Sequence, residues 1–145
     1  MNVEAILRSK GRDVVTIGHQ ASLTDAVARL RDEGIGALVV SADGRRIDGI
    51  VSERDVVRAL AAHGASALGR TVASVMSTEV VTCHADDSVE QLMASMTEKR
   101  FRHLPVVDEE RTLGGIISIG DVVKARLAQL EHENEALTEY IHHGR

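Results

Sequence analysis

The chain has 145 residues, a net charge of −5, 43% apolar and 27% charged residues, one Phe, one Tyr and no Trp. This describes a soluble, domain-sized protein with an aliphatic core, without the dense basic cluster of a nucleic-acid binder and without an apolar run near the roughly 20 residues that span a membrane. The start, "MNVEAILRSKGRD", has no apolar signal core, and the lone Cys83 excludes an internal disulfide, so a reducing cytoplasm is expected.

In chain order, a short Val-rich strand is predicted at 13–17. A helix follows at about 22–33, with Leu23, Ala26, Val27 and Leu30 at helical spacing. Two strands come next, "GALVV" and "IDGIV", joined by "SADGRR", in which Asp43-Gly44 is a hairpin signal. A second helix begins after Ser52. The same order then returns: a strand at 79–83, a helix at about 88–99, strands "HLPVV" and "LGGII", and a helix after Ser118.

The return is in register. A shift of 66 residues aligns Val14–Ala59 with Val80–Ala125 without a gap, and 15 of the 46 pairs are identical. "GIVSERDVV" at 49–57 is the twin of "GIISIGDVV" at 115–123. Each copy reads as a β-α-β-β-α unit too small to bury much core alone. The expected fold is therefore α/β (α+β), two packed copies about a pseudo-twofold axis with a cleft on each side. Repeat 1 is placed at 5–66, repeat 2 at 67–126, and a helical extension at 127–145.

Ser-x-x-Asp closes the third strand of each copy. At its simplest it caps a helix: the hydroxyl accepts from a free N–H and the acid completes a capping box. Ser22-x-x-Asp25 and Ser88-x-x-Gln91 are read as caps alone. Ser52 and Ser118 differ because each sits at a strand edge, where a helix N-terminus also suits a phosphate.

The tandem copies, with "G-apolar-apolar-S-x-x-D" ending each, resemble a pair of cystathionine β-synthase (CBS) domains. "VASVMSTEVVTCHADDSVEQLM" and "RFRHLPVVDEERTLGGIISIGDVVKA" carry the likeness most closely, over roughly residues 5–126. The resemblance implies an adenine-nucleotide sensor. In it, Asp55 and Asp121 hold ribose, and Ser52 and Ser118 lie beside phosphate. The base would rest on Val15, Thr16, Ile35 and Gly36, or on Val81, Thr82 and Phe101. The Asp121 site should borrow the 14–16 strand and the Asp55 site the 80–82 strand. Arg102 and His103 align with phosphate-binding positions and are expected near Asp121; Arg54 is the corresponding cation for Asp55. The ligand would be AMP, ATP or NAD(H), with the two clefts free to differ.

No nucleophile elbow, Walker loop, dinucleotide fingerprint or H-E-x-x-H is present, so catalysis is not expected. The histidines are scattered, His142 and His143 do not share a helix face, and no metal is expected. Cys83, at the end of a Val-rich strand, is read as structural. Beyond the repeat, Val123, Leu127, Leu130, Leu137 and Ile141 form an a/d seam with Asn134 at an a position, which points to a homodimer. The functional expectation is signalling to an unknown protein partner in trans. The alternative is a ligand-free interaction and dimerisation module.

Overall fold

The computed structural model describes residues 1–143, with no side-chain account of His143; the last two residues of the expected extension lie outside it. The chain opens with a helix the sequence reading did not anticipate, α1 (Val3–Lys10), capped by the Asn2 side chain and burying Val3, Ile6 and Leu7. Repeat 1 then supplies β1 (Thr16–Ile17), α2 (Leu23–Glu33), β2 (Ala37–Val40), β3 (Gly49–Ser52) and α3 (Glu53–His63). A 3-10 turn (Gly64–Gly69) and α4 (Val72–Val75) lead to repeat 2, with α5 (Val89–Lys99), β4 (His103–Val107), β5 (Leu113–Ser118) and α6 (Ile119–His143).

The two copies fold alike because their buried positions match. Ala37 pairs with Ser52, Leu38 with Val51 and Val40 with Gly49. Sixty-six residues on, His103 pairs with Ser118, Leu104 with Ile117 and Val106 with Gly115. The α3 and α6 starts are held alike too: Glu53 N–H donates to Gly36 O at 3.0 Å, and Ile119 N–H to Arg102 O at 2.8 Å. The architecture is thus two repeats of one β-α-β-β-α plan, the second opening on a single bridge and ending in the long helix α6.

Both first strands fall short of expectation: 13–17 is reduced to Thr16–Ile17, and 79–83 to less. β1 pairs in parallel with β2, and Val39 N–H donates to Val15 O at 3.3 Å. In repeat 2 the counterpart of Val39 is Pro105, which has no N–H to give the Val81 carbonyl. The predicted 79–83 strand is accordingly reduced to a single bridge at Cys83, which donates to Pro105 O at 3.0 Å and accepts from Val107 N–H at 2.9 Å.

Two apolar clusters form the core, and each takes a helix from ahead of the other repeat. Val72 of α4 is buried with Leu23, Leu38, Val51 and Val56 of repeat 1. Val3, Ile6 and Leu7 of α1 are buried with Val89, Met96, Leu104 and Ile117 of repeat 2. A glycine in each third strand, Gly49 in β3 and Gly115 in β5, gives these segments room. A Cβ on Gly49 would lie 2.6 Å from Met76 Sδ and 2.9 Å from Ser77 O, and one on Gly115 would lie 2.8 Å from Leu7 Cδ2. Cys83 is buried in the second cluster, and that burial pushes its thiol up to about 12, so it stays an unreactive neutral thiol near pH 7.

Candidate functional site

Both Ser-x-x-Asp motifs form capping boxes. Asp55 Oδ2 accepts from Ser52 N–H at 2.8 Å and from Ser52 Oγ at 3.0 Å, while Asp55 N–H donates to Ser52 Oγ at 3.3 Å. Asp121 Oδ2 accepts from Ser118 N–H at 2.8 Å, and Asp121 N–H donates to Ser118 Oγ at 3.1 Å. In each repeat the strand delivers the serine to its C-terminal edge and the helix turns the carboxylate back over it.

Beyond the caps the two motifs part. Asp55 opens on a cavity of about 530 Å³, within the usual range of about 300–1,000 Å³ for small-molecule sites. Its floor is Ser52, Glu53, Arg54 and Asp55 at the start of α3, with Arg58 one turn on. Its far wall is the entry to β4: Lys99, Arg100, Phe101, Arg102 and His103. Val80 and Val81 supply an apolar edge, and Gly36 sits where the repeats meet. Among the described residues Asp55 Oδ1 has one hydrogen-bond donor, Ser77 Oγ at 3.4 Å. Five cations thus face three acids, Glu53, Asp55 and Glu79, in a cleft that ends at a helix N-terminus.

Arg102 and His103, expected near Asp121, both line the cavity of Asp55; His103 also stays near Asp121, pairing with Ser118 across β4–β5 and feeling the Asp121 charge. The reason is the crossing of the repeats: the β4 entry lies against the α3 start, where His103 Nε2 would be 3.1 Å from a Cβ on Gly36 and Glu53 Oε1 2.8 Å from it. Gly36 is the position that lets both side chains in. Burial holds the His103 imidazole below its ordinary range, with Lys10 and Arg102 adding to the shift, so the ring is neutral near pH 7.

Of the other expected residues, Val81 and Phe101 join the Asp55 cavity as the 80–82 assignment requires. The Val81 carbonyl, without a Pro105 N–H, has no backbone partner among the described residues. Thr82 turns instead to a second cavity, of about 470 Å³, between the two hairpin turns and near Arg46 and Arg111. Val15 and Ile35 pack against the first core, and Thr16 pairs with Val39. Arg58, Lys99, Ser77 and Glu79 were missed. Arg58 was legible, since it follows the flagged Arg54 at helical spacing; Ser77 and Glu79 come from the connection between repeats, which no motif marks.

Asp121 is engaged from outside its repeat. Lys10 Nζ donates to Asp121 Oδ2 at 2.6 Å and to Ile116 O at 2.9 Å. Burial works to raise the Asp121 carboxyl, but the bonds from Lys10 and Ser118 outweigh it and hold the group below its ordinary value. Among the described residues no three His, Cys, Asp or Glu side chains are grouped to hold a metal ion, and no helix is long and apolar enough to cross a membrane.

Known proteins carry the same pattern. The CBS-domain family model matches residues 3–62 and again 72–128. A crystal structure of a CBS-domain-containing protein from Agrobacterium tumefaciens is 47% identical, covers 87% of this chain and 99% of its own, and superposes with a TM-score of 0.83. The CBS domain pair of protein MJ0100, solved in complex with 5'-methylthioadenosine and S-adenosyl-L-methionine, is 25% identical over 89% of this chain and 98% of its own, with a TM-score of 0.77. A mitochondrial CBS domain-containing protein of Arabidopsis thaliana, CBSX3, is 31% identical over 98% of this chain and 72% of its own length.

Proposed function

Since this chain belongs to the CBS-domain family and carries the domain as a pair, we propose that it is a regulatory module that takes an adenine nucleotide at Asp55 and signals to a partner in trans. The observation that carries this reading is the Asp55 cavity, where a carboxylate with one loosely held oxygen shares a cleft of about 530 Å³ with a group of cations. Asp55 Oδ1 would accept from the ribose hydroxyls. Arg54, Arg58, Arg100 and Arg102 would take the phosphate by charge-assisted bonds at the α3 N-terminus. Val81 would offer adenine an apolar edge and a free carbonyl for its amine.

The relative MJ0100 holds S-adenosyl-L-methionine, a sulfonium cation, and 5'-methylthioadenosine, which has no phosphate. The cationic wall here favours AMP, ATP or NAD(H) over both. No general base, nucleophile or metal is called for, so the role is sensing rather than turnover. Occupancy acts on a partner only as far as the ligand prefers one pose of the repeats. The nearest such partner is a second copy, through the apolar seam of α6, and the chain would work in the cytoplasm.

Thermal melts with AMP, ATP, NADH, S-adenosyl-L-methionine and 5'-methylthioadenosine test the assignment. A ligand at a hundred times its dissociation constant stabilises the fold by about 2.7 kcal/mol. Upward shifts with the phosphate-bearing ligands support it. A flat panel leaves the ligand-free interaction module, and a shift with the two phosphate-free compounds alone overturns the phosphate assignment.

A further inference from the structure

The two clefts are twins in sequence, yet a different group lies over each carboxylate. In repeat 1 the Ile50 carbonyl accepts the backbone N–H of Ser77 at 2.9 Å, and beyond its own cap Asp55 meets, among the described residues, only the Ser77 hydroxyl. In repeat 2 the counterpart carbonyl, Ile116 O, accepts Lys10 Nζ, and the same ammonium lies 2.6 Å from Asp121 Oδ2. A lysine therefore stands where the first repeat uses main chain.

Lys10 is not a loose surface side chain that happens to reach over. It ends α1, and α1 is fixed to repeat 2 by the burial of Val3, Ile6 and Leu7 and by backbone bonds from Val3 to Asp87 O and Glu4 to Ala85 O. Gly11, at φ 103, closes the helix with its N–H on Leu7 O at 2.7 Å. The ammonium is delivered to Asp121 by a packed helix, with the Lys10 side chain 36% exposed and that of Asp121 25%.

We propose that Lys10 is an internal plug that fills the ribose position of the Asp121 cleft, so that each chain takes one nucleotide, at Asp55, and admits a second only when Lys10 is displaced. A ribose diol offers the carboxylate two neutral donors. It must displace a cation already bonded to that carboxylate and to a carbonyl, and charge-assisted bonds are the stronger kind. The inference rests on the nucleotide reading above. It adds that α1, at the start of the chain and packed on repeat 2, sets how many sites are open.

Calorimetric titration with AMP decides it. Wild type should bind one AMP per chain, and Lys10→Met, which keeps the aliphatic stem and loses the charge, should bind two. Lys10→Arg should return the count to one. Asp121→Asn in the Lys10→Met background should abolish the added site, which locates it. Two AMP per wild-type chain, or one per Lys10→Met chain with an unchanged melting temperature, overturns the plug. Weaker binding by Lys10→Met also overturns it, since Lys10 would then be a phosphate ligand. No heat from any variant fails the nucleotide reading itself, and the plug with it.

Discussion

Arg100 ends α5 with φ 59°, the left-handed conformation that Gly34 adopts at φ 64° in the matching place after α2. A side chain there costs about 1–2 kcal/mol relative to a right-handed position, which glycine avoids. The strained residue is also one that lines the Asp55 cavity, and strain of this kind gathers at functional positions. Arg100→Gly should leave the fold unchanged or raise its stability by up to about 1 kcal/mol, because glycine's greater unfolded-state freedom offsets part of the relief. The same substitution should weaken AMP binding; denaturant melts beside calorimetry would show the two effects moving in opposite directions. His103 carries a pH signature. Burial first, then nearby cations, hold its folded pKa below the ordinary 6.5. As pH falls through that value the unfolded chain takes the proton first, so the stability held by the neutral ring is full above it and is lost toward the lower folded value. His103→Gln should flatten the decline in denaturant midpoint over that window; an equally steep decline would place its origin elsewhere.

At the level of elements, each repeat is closed by a segment that precedes the other. Gly49 of β3 and Gly115 of β5 make room for that crossing, and they differ in what lies above them. Gly49→Ala drives a methyl toward a backbone carbonyl, Ser77 O, which cannot rotate away. A loss of about 1–3 kcal/mol is expected from this overpacking. Gly36→Ala meets only the side-chain ends of Glu53 and His103, so it should cost little stability while disturbing the cleft, and urea midpoints of the two variants make the comparison. The repeats themselves were legible in the sequence because the identities fall on buried or capping positions that a shared fold keeps: Leu38 and Leu104, Gly49 and Gly115, Ser52 and Ser118. The failure of the 79–83 strand was not, because it depends on Pro105 facing Val81 across a ladder whose register no local pattern states. Lys10 was illegible for a plainer reason. Its partner is 111 residues away, a pairing no local pattern states; α1 itself was readable, with Asn2 as its cap and Val3, Ile6 and Leu7 at helical spacing, and the sequence reading passed over it.

For the molecule as a whole, α6 leaves Leu127, Leu130, Leu137 and Ile141 on its surface, between 43% and 58% exposed. With Asn134 they form the a/d seam read from the sequence, and a parallel pairing would set Arg126 against Glu131 of a second copy at flanking positions. Leu130→Glu with Leu137→Glu should convert a dimer to a monomer in light scattering. A dimer that survives both substitutions would be held by the repeats instead. The claim on which the rest depends is that Asp55, and not Asp121, grips the nucleotide. The most direct measurement is the AMP affinity of wild type, Asp55→Asn and Asp121→Asn, with each variant confirmed folded by circular dichroism. Hydrogen bonds to a charged partner are worth about 1.5–3 kcal/mol, so Asp55→Asn should weaken binding about tenfold or more, while Asp121→Asn leaves the affinity of that site unchanged. Undiminished binding by Asp55→Asn, or a loss confined to Asp121→Asn, would contradict the account.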